Sequence, residues 1–249
     1  MAWLNDWFKT PAGRELAQQE SRLLSRRLAG LYARRVLQVG SYGEGCGPTV
    51  YDHTRQWIMD TGPGEAITLR GNSQVMPLAS GSVDGIVLIH QLEFTDKPHQ
   101  VFREAARVLA PEGHMLVLCF NPLSLWGVRR WLSLRADAPP WNGTFLSAGR
   151  LMDWMRLLGV TPRPRESMAP LPPPLYGQRS GDRDHRRRDA RLPRVMHGLG
   201  GVNLIIGQKR VSGQVHPPAI RQRRLAIIPG GLAQAGARAA VRQEWHDSG

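Results

Sequence analysis

The residues best placed to do chemistry sit where short apolar runs end. Val36-Leu37-Gln38-Val39 has strand character and stops at Gly40-Ser41-Tyr42-Gly43-Glu44-Gly45, a strand entering a glycine-rich turn. Gly40 and Gly43 let backbone pass close to a ligand where a side chain would collide, although a strand-to-helix turn calls for glycine in any case. Asp60 ends a second run, Gln56 to Met59, ahead of the turn Thr61-Gly62-Pro63-Gly64; its carboxylate is either a ligand acceptor or a solvated turn residue. His90 closes the run Val83 to Ile89, where it either looks into a pocket or caps the next segment. Open α/β sheets bind ligands in the crevice beyond their strand ends, which is where all of these residues fall. Cys46 and Cys119 are far apart and show no metal-ligand spacing, so the sequence supports neither a zinc site nor a disulfide framework and fits a reducing compartment.

The elements that must position these residues are legible in turn. Thr10 as N-cap and Pro11 at the first helical position open a helix with Leu16, Leu23, Leu24, Leu28 and Leu31 on one face. Trp3, Trp7 and Phe8 before it are read as packing onto the domain, with an interfacial anchor as the other use. A third short strand is expected at Ala66 to Leu69. The buried-strand pattern Val83 to Ile89, the helical spacing over Asp96 to Leu109, the turn Pro111-Glu112-Gly113 and the apolar run Met115 to Phe120 form a strand, helix, strand unit. Such a unit implies parallel pairing through a right-handed crossover and an α/β class. Ser147 caps a further helix that Gly159 ends, and Val202 to Gly207 reads as a last strand.

The domain layout expected is an amino-terminal segment and helix over 1–35, a main domain over 36–210 with a Pro/Arg-rich insertion at about 161–198, and a basic, disordered tail over 211–249. A formal net charge of +13 could attract nucleic acid, anionic lipid or a phosphorylated small molecule without choosing among them. No run reaches the ~18 apolar residues that span a bilayer, and the first ten residues lack a secretory pattern; a cytoplasmic location is expected.

Four elements in register carry a resemblance. Asn72-Ser73-Gln74-Val75-Met76-Pro77-Leu78, then Ser82-Val83-Asp84, then His90, then Arg103-Glu104-Ala105-Ala106-Arg107-Val108-Leu109-Ala110-Pro111-Glu112-Gly113 resemble, in order and spacing over residues 36 to 120, the class I S-adenosylmethionine-dependent methyltransferases of the type 11 group, which includes quinone-biosynthesis C-methyltransferases. The resemblance implies a Rossmann-like, seven-stranded, mostly parallel sheet with helices on both faces and S-adenosylmethionine across the carboxyl ends of its first strands. It implies cofactor contacts from Gly40, Ser41, Gly43, Asp60, Asn72, Ser73 and His90, with Asp60 accepting from the ribose hydroxyls and Asn72 and Ser73 near the adenine. The first motif departs from the family's: Gln38 stands at its acidic position and Tyr42 at its second glycine, and Asn72 replaces an aspartate. Leu125 to Trp131 either roofs an acceptor pocket, with Trp126 as a flat face and Arg129 or Arg130 as an anionic contact, or packs ordinarily.

The function this favours is transfer of a methyl group to a small-molecule acceptor, with no catalytic residue named and no metal. Two alternatives stay open: a methyltransferase-like binding or scaffold protein that has lost the cofactor, and a nucleic-acid methyltransferase using the basic tail. A nicotinamide oxidoreductase is disfavoured because Gly40 to Gly45 lacks Gly-x-Gly-x-x-Gly.

Overall fold

The computed structural model describes residues 2–41, 54–62, 64, 66–132, 141–168 and 200–210. Tyr42, Gly43, most of the expected insertion and the basic tail lie outside the described residues.

The chain opens with two helices, α1 (Ala2–Phe8) and α2 (Pro11–Ala29). Thr10 is the cap the sequence implies: its backbone is extended and its Oγ1 accepts from Gly13 N at 3.1 Å. The same hydroxyl donates to Trp7 O, which folds α1 back against the start of α2. Gly13 makes that approach possible, since a Cβ there would collide with Trp7 O and stand 2.6 Å from Phe8 Cα. Gly13→Ala is expected to cost ~1–3 kcal/mol through overpacking. The reading is a lower urea midpoint at unchanged slope; a wild-type midpoint would mean that the two helices do not pack this closely.

Five parallel strands follow: β1 (Arg35–Val39), β2 (Arg55–Asp60), β3 (Leu69–Arg70), β4 (Val83–Ile89) and β5 (Leu109–Phe120). Helix α3 (Pro98–Val108) crosses over between β4 and β5. After α4 (Leu125–Leu132) and α5 (Ala148–Leu157) come β6 (Val160–Pro162), β7 (Glu166–Met168) and β8 (Val202–Lys209). β8 runs antiparallel to β5, and the sheet order is β3-β2-β1-β4-β5-β8-β6. β6 and β7 both pair with β8, the first at Gly207 to Lys209 and the second at Val202 to Leu204. They are one edge position interrupted where Pro164 offers no N–H, while Arg163 N still reaches Ile206 O at 2.7 Å. Eight strands therefore fill the seven positions expected.

Alternation along the strands sends side chains to two cores. Val39, Ile86, Leu88, Met115, Val117 and Ile205 pack with α3 and α5, whereas Val36, Val87, Ile89, Leu116, Leu118 and Leu204 pack with α1, α2 and Trp126. Trp7 and Phe8 belong to the second core, as the packing reading has it; the side chain of Trp3 lies outside the described residues. Two boundaries differ from expectation. β3 is shorter and later than Ala66 to Leu69. The turn Pro111-Glu112-Gly113 is a bulge within β5, because Leu109 pairs with Val83 and His114 already pairs with Gly85, with Glu112 at φ +60. The segment expected as a loose insertion begins with the ordered edge strands β6 and β7.

Candidate active site

Register brings the first loops together. Val39 pairs with Met59, so Gly40 and Asp60 emerge side by side at the carboxyl ends of β1 and β2. Gly40 N donates to Met59 O at 2.9 Å, and Ser41 Oγ donates to Asp60 Oδ2 at 3.0 Å. Asp60 Oδ1 accepts from Thr61 N at 2.6 Å, and the residue is almost buried. Gly40 needs to be glycine twice over: its φ is +94, and a Cβ would sit 2.7 Å from Ile89 O and collide with the Gln91 side chain. Gln38, which replaces the family's acid, is buried and uses both ends of its amide. Its Nε2 donates to Gly40 O at 2.8 Å, and its Oε1 accepts from Gln56 Nε2 at 3.0 Å. An amide with a donor here organises the loop through a backbone carbonyl, which a carboxylate could not do.

β3 adds the next loop, since Asp60 pairs with Arg70 and the chain continues to Asn72 and Ser73. Asn72 is exposed, with its Oδ1 accepting from Gln74 N at 2.9 Å, and Ser73 is nearly buried. Two residues of α3 clamp this loop from behind. Glu104 Oε2 accepts from Met76 N at 3.1 Å, and Arg107 donates to Leu78 O at 2.9 Å and Met76 O at 3.1 Å. Their own pair closes at 2.8 Å, and Arg107's hydrogen bond holds the Glu104 carboxyl below its usual range. The Arg-Glu-x-x-Arg-Val-Leu helix thus does its work at a distance, by fixing the loop that presents Asn72 and Ser73. Gly40, Ser41, Asp60, Asn72 and Ser73 share one edge; Gly43 lies outside the described residues.

His90 stands at the same edge in a different environment. Its backbone is left-handed at φ +47, a conformation that costs a non-glycine residue ~1–3 kcal/mol and is concentrated at functional sites. The ring is fully buried, stacked on Phe120 at 4.2 Å with Phe8 at 6.0 Å. Nε2 lies 3.0 Å from Glu20 Oε1 and Nδ1 3.0 Å from Glu93 Oε1. Glu93 Oε1 also accepts from Phe120 N at 2.8 Å. Both ring nitrogens are engaged, so in this arrangement His90 has none to offer the cofactor contact expected of it. Burial alone would push its pKa down and is the largest single influence. The two carboxylates, through their charges and hydrogen bonds, together outweigh it and raise the value from 6.5 to about 10.

The cluster was partly hidden in the sequence. Glu20 occupies the i+4 position between Leu16 and Leu24 and is buried with them, so an acid in the middle of an apolar stripe was its available signal. Glu93 gave none beyond its three-residue spacing from His90. Trp126 is fully buried, its ring stacked 5.5 Å from Phe120, so this tryptophan packs beside the cluster; Arg129 lies over Trp141 and Arg130 over Phe145. Among the described residues no group of three His, Cys, Asp or Glu is arranged to hold a metal, and no helix is long and apolar enough to cross a membrane.

Sheet order, the antiparallel β8 and loops gathered at the carboxyl edge define a class I methyltransferase fold. Residues 32–117 match the type 11 family model, described as a methyltransferase domain, and over that span the chain carries an S-adenosylmethionine-dependent methyltransferase domain whose first motif diverges. The uncharacterised protein YafS of Escherichia coli (strain K12) is 25% identical over 206 residues, covering 82% of this chain and 80% of its own. Among solved structures, an S-adenosylmethionine-dependent methyltransferase of Thermotoga maritima superposes with a TM-score of 0.53 at 19% identity, covering 82% of this chain and 94% of that one. The YcgJ protein of Bacillus subtilis does so with a TM-score of 0.51 at 16% identity, covering 78% and 99%. At these identities the two structures show the shared fold.

Proposed function

We propose that the chain methylates a small-molecule acceptor held beyond the carboxyl ends of β4 and β5, by direct in-line displacement, in the cytoplasm. The observation that supports this reading is the grouping of Gly40, Asp60 and Asn72 on one edge, with a glycine whose Cβ position is crowded and a nearly buried carboxylate beside it. When bound, S-adenosylmethionine supplies an electrophilic methyl group on a sulfonium. Asp60 would accept from the ribose hydroxyls, exchanging them for some of the donors it now holds, and Asn72 and Ser73 would border the adenine. Gly40 and Ser41 would admit the amino-acid half of the cofactor close to the backbone. Gln38, by gripping Gly40 O, keeps that loop in place, and Glu104 with Arg107 does the same for the adenine side. Catalysis then rests on holding acceptor and methyl donor in near-attack geometry rather than on a dedicated base.

Calorimetric titration with S-adenosylmethionine and its demethylated product tests the reading. Asp60→Ala removes hydrogen bonds to a charged acceptor worth ~1.5–3 kcal/mol each, so affinity for both ligands is expected to fall about tenfold to a hundredfold. A far-ultraviolet spectrum and melting point close to wild type would confine the loss to the site. The absence of heat from either ligand at millimolar concentration would leave the methyltransferase fold serving as a binding scaffold.

A further inference from the structure

The exposed apolar surface of the described residues is concentrated in one place. Of seven large hydrophobic residues that stand open to solvent, four lie within nine residues of sequence: Leu123 at 67%, Leu125 at 44%, Val128 at 50% and Trp131 at 84% exposure. Leu125, Val128 and Trp131 follow one another at three-residue spacing on α4 and form a single stripe. The opposite side of the helix is committed to the protein, since Trp126 is fully buried against Phe120 and Arg130 Nε donates to Trp141 O at 2.9 Å. A contiguous apolar stripe facing water marks an interaction surface.

We propose that α4 is a docking surface for an anionic lipid bilayer, entered by Leu125, Val128 and Trp131. The charge around the stripe selects this occupant. Pro122 to Leu132 contains Arg129 and Arg130 and no carboxylate, in a chain of net charge +13. Arg129 and Arg130, half-buried over Trp141 and Phe145, supply positive charge behind the stripe, and apolar residues with tryptophan on one side of a basic helix are the composition of helices that lie in the headgroup plane of a membrane. Beside the stripe is an open cleft of about 350 Å³ lined by Pro122, Gly127, Val128, Arg130, Trp131 and Phe145. Its apolar walls with a guanidinium among them suit an amphiphile with an anionic head. Each basic side chain close to an anionic surface strengthens attachment about fivefold. The docking is independent of the methyl-transfer reading. If both hold, α4, which leaves the carboxyl end of β5 through Asn121 to Ser124, places the acceptor region next to the bilayer, and amphiphilic acceptors are the class that reaches it.

The test uses the full chain with vesicles of phosphatidylcholine alone and with roughly one-third phosphatidylglycerol added. Stronger partition onto the anionic vesicles is expected, with tryptophan emission quenched by lipids brominated in the acyl chain. A Val128→Asp/Trp131→Asp double variant, at exposed positions and with an unchanged melting point, is expected to lose at least about tenfold in partition. Trp131→Phe should keep partition and lose most of the quenching. Equal binding by the Asp variant and wild type would place attachment on other charges, and binding without acyl-chain quenching would mean that α4 does not enter the bilayer; either overturns the proposal. So does a wild-type protein that ignores vesicles but self-associates in sedimentation velocity and becomes monomeric in the Asp variant, because the stripe is then an interface between copies.

Discussion

Glu20→Ala is expected to destabilise the protein by ~3–5 kcal/mol, the range seen when one partner of a buried ion pair is removed and the other is left uncompensated. Glu20 is fully buried, its Oε1 is 3.0 Å from His90 Nε2, and His90 is fully buried as well. Truncation strips one acceptor from the ring and opens a cavity between α2 and the sheet, so loss of the pair and loss of packing act in the same direction. Glu20→Gln keeps the volume and a hydrogen-bonding oxygen but removes the charge, and is expected to lie between alanine and wild type. Urea unfolding of Glu20→Ala, His90→Ala and the double variant closes a cycle, in which a coupling energy above ~1 kcal/mol is expected for groups in direct contact. A Glu20→Ala protein within ~0.5 kcal/mol of wild type, the range of ordinary surface substitutions, would show that the ion pair carries none of the attachment of α2.

The same cluster shows where sequence reading reaches its limit. The helix caps at Thr10 and Ser147, the β4, α3, β5 unit and six of the seven strand positions were legible because each rests on local chemistry or on periodicity within a few turns, whereas the edge position of β6 and β7 read as part of an insertion and the count of seven came from the family resemblance. Asp60 could be placed at the end of its strand and Asn72 only through the family resemblance; the pairing that brings them to one edge is visible in the structure alone. Glu20 and His90 are seventy residues apart, and nothing local in α2 says which side chain its one buried acid will meet. The bulge at Pro111 to Gly113 reads as a turn because its residues are turn formers; only pairing with β4 shows that the strand continues through them. The substitution of Gln38 for an acid reads in isolation as a loss of charge. In the fold it is a gain of one donor, aimed at Gly40 O.

Stability is expected to fall as pH rises from about 6.5 to about 10, and the geometry of His90 explains the direction. Each ring nitrogen lies 3.0 Å from a carboxylate oxygen, so the arrangement calls for a donor on both, which an imidazolium provides and a neutral imidazole, with a single N–H, does not. In the folded protein the ring holds its proton until about pH 10, against 6.5 for an ordinary histidine. The folded state therefore binds more protons than the unfolded one across that interval. Its stabilisation is complete below pH 6.5 and lost as pH climbs through the folded value. At ~1.4 kcal/mol for each unit of difference, the full loss is on the order of several kcal/mol, comparable with removing Glu20 outright. The Cys119 thiol, pushed well above the usual range by burial above all and then by Glu93 and Glu20, adds a decline of the same sign above about pH 8.5, so the His90 contribution is read below that pH. Urea midpoints at intervals between pH 6 and 10 should decline for wild type, and much less for Glu20→Gln, where one of the two charges that retain the proton is gone. A flat wild-type profile would mean that the folded cluster holds no extra proton across the interval, with a neutral ring between two ionised glutamates.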